Sequence, residues 1–290
     1  MDVDKGSRTL YSSLKSALEL KQPFLVGRFG TIEFEIIYYI ENMVDNIPLD
    51  RRTVLERNAG VFPNSMYSVR CWALSAKNAM CSADVLAVGW FSNAKEEREL
   101  LEAWNWNKIK IPLRSLEPYY VDEEIRYTQL FKGRRICVVT SFTESAKSQV
   151  LKGDSKLWPS IGSMWDGVDL CWVQTGYAPS LALGRAGWDN CASWEEAVDK
   201  VVAEVLETKA EVVLIGCGGL GMIIGSHLKS AGLICIVMGG AIQVMFGIKG
   251  GRWERHPVIS TFWNSSWVWP SVEETPMGAG NVEQACYWNS

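Results

Sequence analysis

Residues 210–253, AEVVLIGCGGLGMIIGSHLKSAGLICIVMGGAIQVMFGIKGGRW, constrain the fold more than any other stretch. The apolar, β-branched run over 211–215 has the length and composition of a buried parallel strand. Gly216, Gly218 and Gly221 follow at once in G-x-G-x-x-G spacing, with Gly219 between them. A helical pattern over 222–229 comes next, and Gly232 is placed to stop it. A second buried strand over 233–238 ends in Gly239-Gly240 and leads into 241–246. This is a β-loop-α-β unit with glycines at both strand ends. Such glycines let an anionic ligand approach the backbone, and the helix N-terminus offers free N–H groups to its phosphates.

The same glycines also serve tight turns and close helix–sheet packing, so the spacing by itself leaves both readings open. One departure narrows the ligand. A dinucleotide-binding unit carries Asp or Glu near the end of its second strand, about 20 residues on, to hold ribose hydroxyls. Here that position reads Met238-Gly239-Gly240-Ala241, without an acid. The segment therefore reads as a diphosphate site, with Gly218 expected outside the core, where a side chain would block the ligand and spare the fold.

At 290 residues the chain can bury a large core, in one α/β domain over 1–290 or in two smaller halves. A composition 48% hydrophobic and 21% charged excludes a disordered chain. Net charge is −4, so no global field draws nucleic acid or an anionic membrane, and any phosphate-binding charge is local. No membrane span is expected, because the longest uncharged apolar stretch, 212–226, is too short and glycine-rich. Eight cysteines without a C-x-x-C pair suggest a reducing compartment, hence a cytoplasmic protein. With only His227 and His256, a histidine-rich zinc site is excluded as the leading reading; His227 reads as a polar-face residue.

In chain order, helical spacing runs over 7–20, and 23–27 is the first strand, leading through Arg28-Phe29-Gly30-Thr31 into a helix over 32–43. Helices follow over 50–58 and 67–80, a strand over 84–90, a helix over 94–104 and a strand over 109–113. A helix is expected over 123–131, then a strand over 135–140, a helix towards Leu151, a strand over 170–174 and a helix over 194–208. Strands alternating with helices indicate a Rossmann-like, mostly parallel, doubly wound sheet. Lys132-Gly133 is the best boundary between halves 1–132 and 133–290. The tail from Pro257 is irregular and tryptophan-rich, and is expected to wrap over the domain and close one side of a cleft.

Open parallel sheets bind ligands beyond the carboxyl ends of their strands. There the first half supplies Arg28, Glu33, Glu35 and Trp90. The second supplies Ser141, Thr143, Gln174, the loop Gly216-Gly221, Gly239, Gly240 and Gln243. Lys249 and Arg252 follow in a basic, glycine-flanked turn suited to a pyrophosphate. Residues two apart on a helix point about 200° from each other, so Glu33, in the first turn, faces the ligand in preference to Glu35. Thr31 is the expected cap, and the helix dipole favours an ionised Glu33.

Gly27-Arg28-Phe29-Gly30-Thr31-Ile32-Glu33 resembles the Arg-Phe-Gly-Asp-Gly-Glu signature of GT-D-type glycosyltransferases. The segments 215–221, 239–243, 246–253, 274–276, 282–283 and 286–288 are similar to those of GT-D-like proteins. The resemblance spans nearly the whole chain. It implies a GT-D-like fold and transfer of a sugar from a UDP- or GDP-sugar to a hydroxyl of a glycan or other acceptor. It also implies a divalent ion, Mg or Mn, held by an acid-x-acid pair. Thr31 replaces the first acid, which leaves Glu33 as metal ligand or base unless Glu35 or a tail carboxylate substitutes. Backbone N–H groups, Lys249 and Arg252 would neutralise the leaving diphosphate, and Glu33 would take the acceptor proton. A homo-oligomer is compatible with the sequence. The alternatives are a non-catalytic nucleotide-sugar binder and a Rossmann-type enzyme using NAD or S-adenosylmethionine. The tail tryptophans read either as sugar-stacking faces or as core side chains.

Overall fold

The computed structural model describes residues 2–42, 45–89 and 94–289. Its first half comprises α1 (Val3–Leu20), β1 (Phe24–Gly27), α2 (Thr31–Glu41), α3 (Leu49–Ala59), α4 (Met66–Ser82), β2 (Val85–Val88), α5 (Ala94–Ala103) and β3 (Ile109–Pro112). After a run of short 3-10 turns come β4 (Arg135–Thr140), α6 (Thr143–Lys152), α7 (Asp154–Leu157), β5 (Asp169–Gln174), α8 (Pro179–Ala182) and α9 (Trp194–Glu207). The glycine unit forms β6 (Val212–Gly216), α10 (Gly221–Ser230), β7 (Ile234–Val237) and α11 (Ala241–Met245), and the tail adds α12 (Ile259–Phe262).

Successive side chains on a strand point to opposite faces. In β6, Val212 and Leu214 pack into one apolar cluster with α1, α11 and the tail, whereas Val213 and Ile215 pack into another with α2, α4, α9 and α10. Both faces of the strands are buried, which is why each reads as an unbroken apolar run. The seven strands form one sheet in the order β3-β2-β1-β7-β6-β4-β5, and every pairing is parallel. The two halves share it: β1 pairs with β7 through Phe24↔Ile234. Connections leave β4 and β6 in opposite directions, so a crevice opens between their carboxyl ends. Registers Thr140↔Gly216 and Thr140↔Gln174 bring those ends level.

Two local expectations are corrected. The helix expected over 123–131 is replaced by 3-10 turns at Glu123–Ile125 and Tyr127–Phe131. Buried Arg126 donates to the Val121 carbonyl (3.1 Å, Nη2) and the Ile161 carbonyl (3.0 Å), contacts that an α-helical path would not offer. The cap of α2 is Gly30 and not Thr31. Trp90 lies outside the described residues. No helix among the described residues is long and apolar enough to cross a membrane.

The tail packs inward. Trp253, Trp267 and Trp288 are buried, and Trp267 Nε1 donates to the Leu157 carbonyl at 3.1 Å. Glu274, also buried, accepts from the N–H groups of Glu144 (2.7 Å) and Ser145 (3.1 Å) at the start of α6. This clasp lays residues 282–288 over the carboxyl edge of the sheet.

Candidate functional site

Two adjoining cavities occupy that edge. The larger, about 1050 Å³, lies over the ends of β1, β2, β3 and β7 and is walled by Arg28, Glu33, Glu35, Arg51, Arg114, Glu117, Arg252 and Glu283. The smaller, about 110 Å³, lies over the ends of β4, β5 and β6. They meet at Asn58, Gly218, Gly239, Gly240, Val282 and Tyr287. Ligand sites of small molecules occupy about 300–1,000 Å³, so the larger cavity is the one sized for a nucleotide sugar.

Arg28 leaves β1 and crosses to β7, where Nε (3.2 Å) and Nη2 (2.9 Å) donate to the Met238 carbonyl. Glu33 is buried in the first turn of α2. Its carboxylate folds back over Gly30, where an added Cβ would stand 2.5 Å from Oε2; glycine is needed there for that reason. Burial pushes the Glu33 carboxyl above its ordinary range, against the backbone N–H groups of Glu33 and Gly30 and the Arg28 charge. Desolvation is the largest influence, and it opposes the ionised form that the helix dipole favours. Glu35 also reaches the cavity wall, but Arg51 holds both its oxygens, with Nε at 2.8 Å from Oε1 and Nη2 in contact with Oε2.

The glycine loop serves packing and approach together. A Cβ on Gly221 would stand 2.9 Å from Val237 Cγ1, and one on Gly216 would collide with Ile242. Gly219 lines neither cavity; its carbonyl accepts from Trp72 Nε1 at 3.0 Å, which ties the loop to α4. Gly218 borders both cavities at φ +46°, and a Cβ there would lie 2.9 Å from the Ala59 carbonyl oxygen. Its loop is therefore packed against α3, and the expectation that a side chain at Gly218 would leave the fold untouched is corrected. Gly239 (φ +62°) and Gly240 border both cavities, the first beside the Arg28 guanidinium and the second beside the Tyr287 ring.

The basic turn divides. Arg252 reaches the larger cavity, donating from Nη1 to the Tyr287 hydroxyl (2.7 Å) and pairing through Nη2 with Glu283 (3.4 Å). Lys249 lines neither cavity; its backbone N–H is fixed by the Val268 carbonyl and its ammonium sits over the Trp263 ring. Gln243 is likewise withdrawn, its amide donating to the carbonyls of Lys249 and Tyr287, both at 2.7 Å. Ser141 lines the smaller cavity and accepts from the Tyr177 hydroxyl at 2.8 Å. Thr143 and Gln174 bond to each other through Thr143 Oγ1 and Gln174 Oε1.

Sequence reasoning missed Arg51, Arg114, Glu117 and Tyr119. The last three follow directly on β3, so applying the strand-end rule to that strand would have found them. Burial raises the Glu117 carboxyl above its ordinary range, opposed by the Arg28 charge and the Tyr119 hydroxyl. Burial thus disfavours the charged form of Glu33 and Glu117, while Glu35 and Glu283 are ion-paired with Arg51 and Arg252. The forked donors of four arginines on one wall suit recognition of a multiply charged anion.

The donor set does not fit a resident Mg or Mn ion. Among the described residues no group of three or more His, Cys, Asp or Glu side chains converges, Glu33 is turned onto the backbone of Gly30, and Glu35 is held by Arg51. Such ions take several oxygen ligands, commonly carboxylates. Comparisons of the chain with models of protein families, with curated proteins and with solved structures returned no match. The fold and site define a Rossmann-like α/β protein with an arginine-lined cleft at the carboxyl edge of an all-parallel sheet.

Proposed function

We propose that this protein is a glycosyltransferase of GT-D type, moving a sugar from a UDP- or GDP-sugar to an acceptor hydroxyl. The observation that carries this reading is the cavity of about 1050 Å³ lined in common by Arg28, Arg252, the Gly239-Gly240 turn and the buried Glu33. In this reading Arg252, Arg28 and the backbone around Gly218 and Gly240 hold the diphosphate and stabilise the charge that builds as the sugar C–O bond breaks. Glu33 takes the proton of the acceptor hydroxyl as the new C–O bond forms. Burial raises that carboxyl above its ordinary range, which makes its ionised form a stronger base.

A second reading is a nucleotide-sugar binder without turnover. It is favoured by Thr31 in place of an acid and by the engagement of Glu33 with the α2 N-terminus. NAD and S-adenosylmethionine fit less well, because β7 is followed by Met238-Gly239-Gly240 with no carboxylate for a ribose. A thermal-shift screen of UDP- and GDP-sugars, NAD and S-adenosylmethionine, with and without Mg²⁺ or Mn²⁺, tests the ligand class. A ligand at 100 times its Kd adds about 2.7 kcal/mol of stability. Stabilisation by NAD or S-adenosylmethionine and none by nucleotide sugars would overturn the proposal.

A further inference from the structure

We propose that Cys137 and Cys171 are a modification site, a thiol pair that hydrogen peroxide oxidises reversibly to a disulfide, with Cys171 attacking first and Cys137 resolving. The two cysteines are register partners in the parallel pair β4–β5, and both side chains pack on the α9 face of the sheet. Paired strands lie about 4.8 Å apart, inside the range of about 4.4–6.8 Å that the Cα atoms of a disulfide span. β5 is an edge strand, and Cys171 is half-buried there, whereas Cys137 on β4 is buried. In its protonated form Cys171 Sγ donates to the Ile136 carbonyl at 3.5 Å, so its sulfur leans across the ladder towards β4.

Electrostatics divide the labour between the two sulfurs. The Cys137 thiol, against burial, draws Cys171 down to about 6, with the Thr208 hydroxyl and the Arg135 charge helping and Asp169 opposing. The same contact, together with burial, pushes the Cys137 thiol up. Burial pushes Cys191, Cys217, Cys235 and Cys286 up as well. A thiolate that reaches solvent beside a second thiol is the arrangement that senses oxidants. The Cys171 thiolate attacks one peroxide oxygen, the O–O bond breaks, and the hydroxide that leaves is protonated to water. The sulfenic acid left on Cys171 is neutral, so the charge that held the Cys137 proton is gone. The Cys137 sulfur then gives up that proton and attacks the Cys171 sulfur; the S–O bond breaks and a second water leaves. Two thiols and one peroxide thus give one disulfide and two waters, the sulfurs oxidised and the peroxide oxygens reduced. The half-buried Cys171 leaves the bond open to an external thiol, whose attack reverses the step.

The test treats the folded full chain with a slight excess of hydrogen peroxide, blocks free thiols, digests without reductant and reads the peptides by mass spectrometry. The expected result is a peptide pair linked through Cys137 and Cys171, which dithiothreitol separates. Cys137→Ser keeps a hydroxyl donor beside Cys171 and has no sulfur to resolve it, so dimedone should capture a sulfenic acid on Cys171. Cys171→Ser should leave Cys137 unoxidised at the same dose. In the parent, alkylation of Cys171 by iodoacetamide should change less than about twofold between about pH 7 and pH 9, where an ordinary thiol of pKa about 8.5 speeds up about 20-fold. The proposal is overturned if the parent gives no such linked peptide, or gives it only when unfolded in urea. Dimedone on Cys137 in Cys171→Ser, or Cys171 alkylation that climbs with pH as an ordinary thiol's does, would overturn it too. The link and the alkylation profile are read in the parent, so they decide the matter even where a variant fails to fold.

Discussion

Replacing Glu274 with alanine removes the carboxylate that ties the tail to the start of α6. Its carboxylate is 3% exposed and accepts from three backbone N–H groups, those of Glu144, Ser145 and Ser271, and from the Ser145 hydroxyl. A buried donor left without its acceptor costs about 1–3 kcal/mol. Water entering the vacated space recovers part of this, which leaves about 4 kcal/mol for the set. Total stability is about 5–15 kcal/mol, so the loss is a large fraction of it. At about 2 °C per kcal/mol for a chain this long, the unfolding midpoint falls by about 8 °C. Glu274→Gln keeps one acceptor oxygen and should lose about half as much. Urea unfolding followed by circular dichroism measures both variants. A loss under about 1 kcal/mol for Glu274→Ala would refute the clasp, because exposed hydrogen bonds would then suffice to explain it.

Further outcomes follow from the site. Glu33→Gln should lower turnover about 10²-fold or more, as for loss of a general base. The folded protein keeps the Glu33 proton to higher pH than the unfolded chain does, so stability falls as pH rises from the ordinary carboxylate range through the raised value. Glu33→Gln should abolish that slope and unfold at pH 7 no more easily than the parent, as denaturant titrations across pH would show. Arg252→Ala should weaken UDP or GDP binding by calorimetry, whereas Lys249→Ala should leave it unchanged, since Lys249 lies over Trp263 outside the cavity. Gly218→Ala should cost about 1–2 kcal/mol of stability from its left-handed φ of +46° alone, read by the same unfolding assay.

The strands were legible because both faces are buried: a sequence such as Val212-Val-Leu-Ile215 has no other use at that length. Helix ends were legible where a residue type enforces them, as at Gly232 with φ +100°. The segment from Leu113 to Phe131 was not, because tertiary contacts shape it. Arg126 reaches Ile161, and Tyr127 donates to the Leu116 carbonyl at 2.9 Å. The rule that ligands sit at parallel strand ends brought Arg28, Glu33, Gly218, Gly239, Gly240 and Arg252 onto the page together. It overreached for Lys249 and Gln243, whose directions are set by the turn at Gly247 (φ +64°) and by the tail laid over it.

The central claim is turnover of a nucleotide sugar at the Glu33 cavity. Its most direct test is release of free UDP or GDP from a panel of UDP- and GDP-sugars by the purified protein, with Glu33→Gln alongside. The account predicts that at least one donor is consumed, with release in Glu33→Gln lower by about 10²-fold. Equal release by parent and Glu33→Gln would contradict it, as would donors that bind and are never consumed in the presence of hydroxyl acceptors.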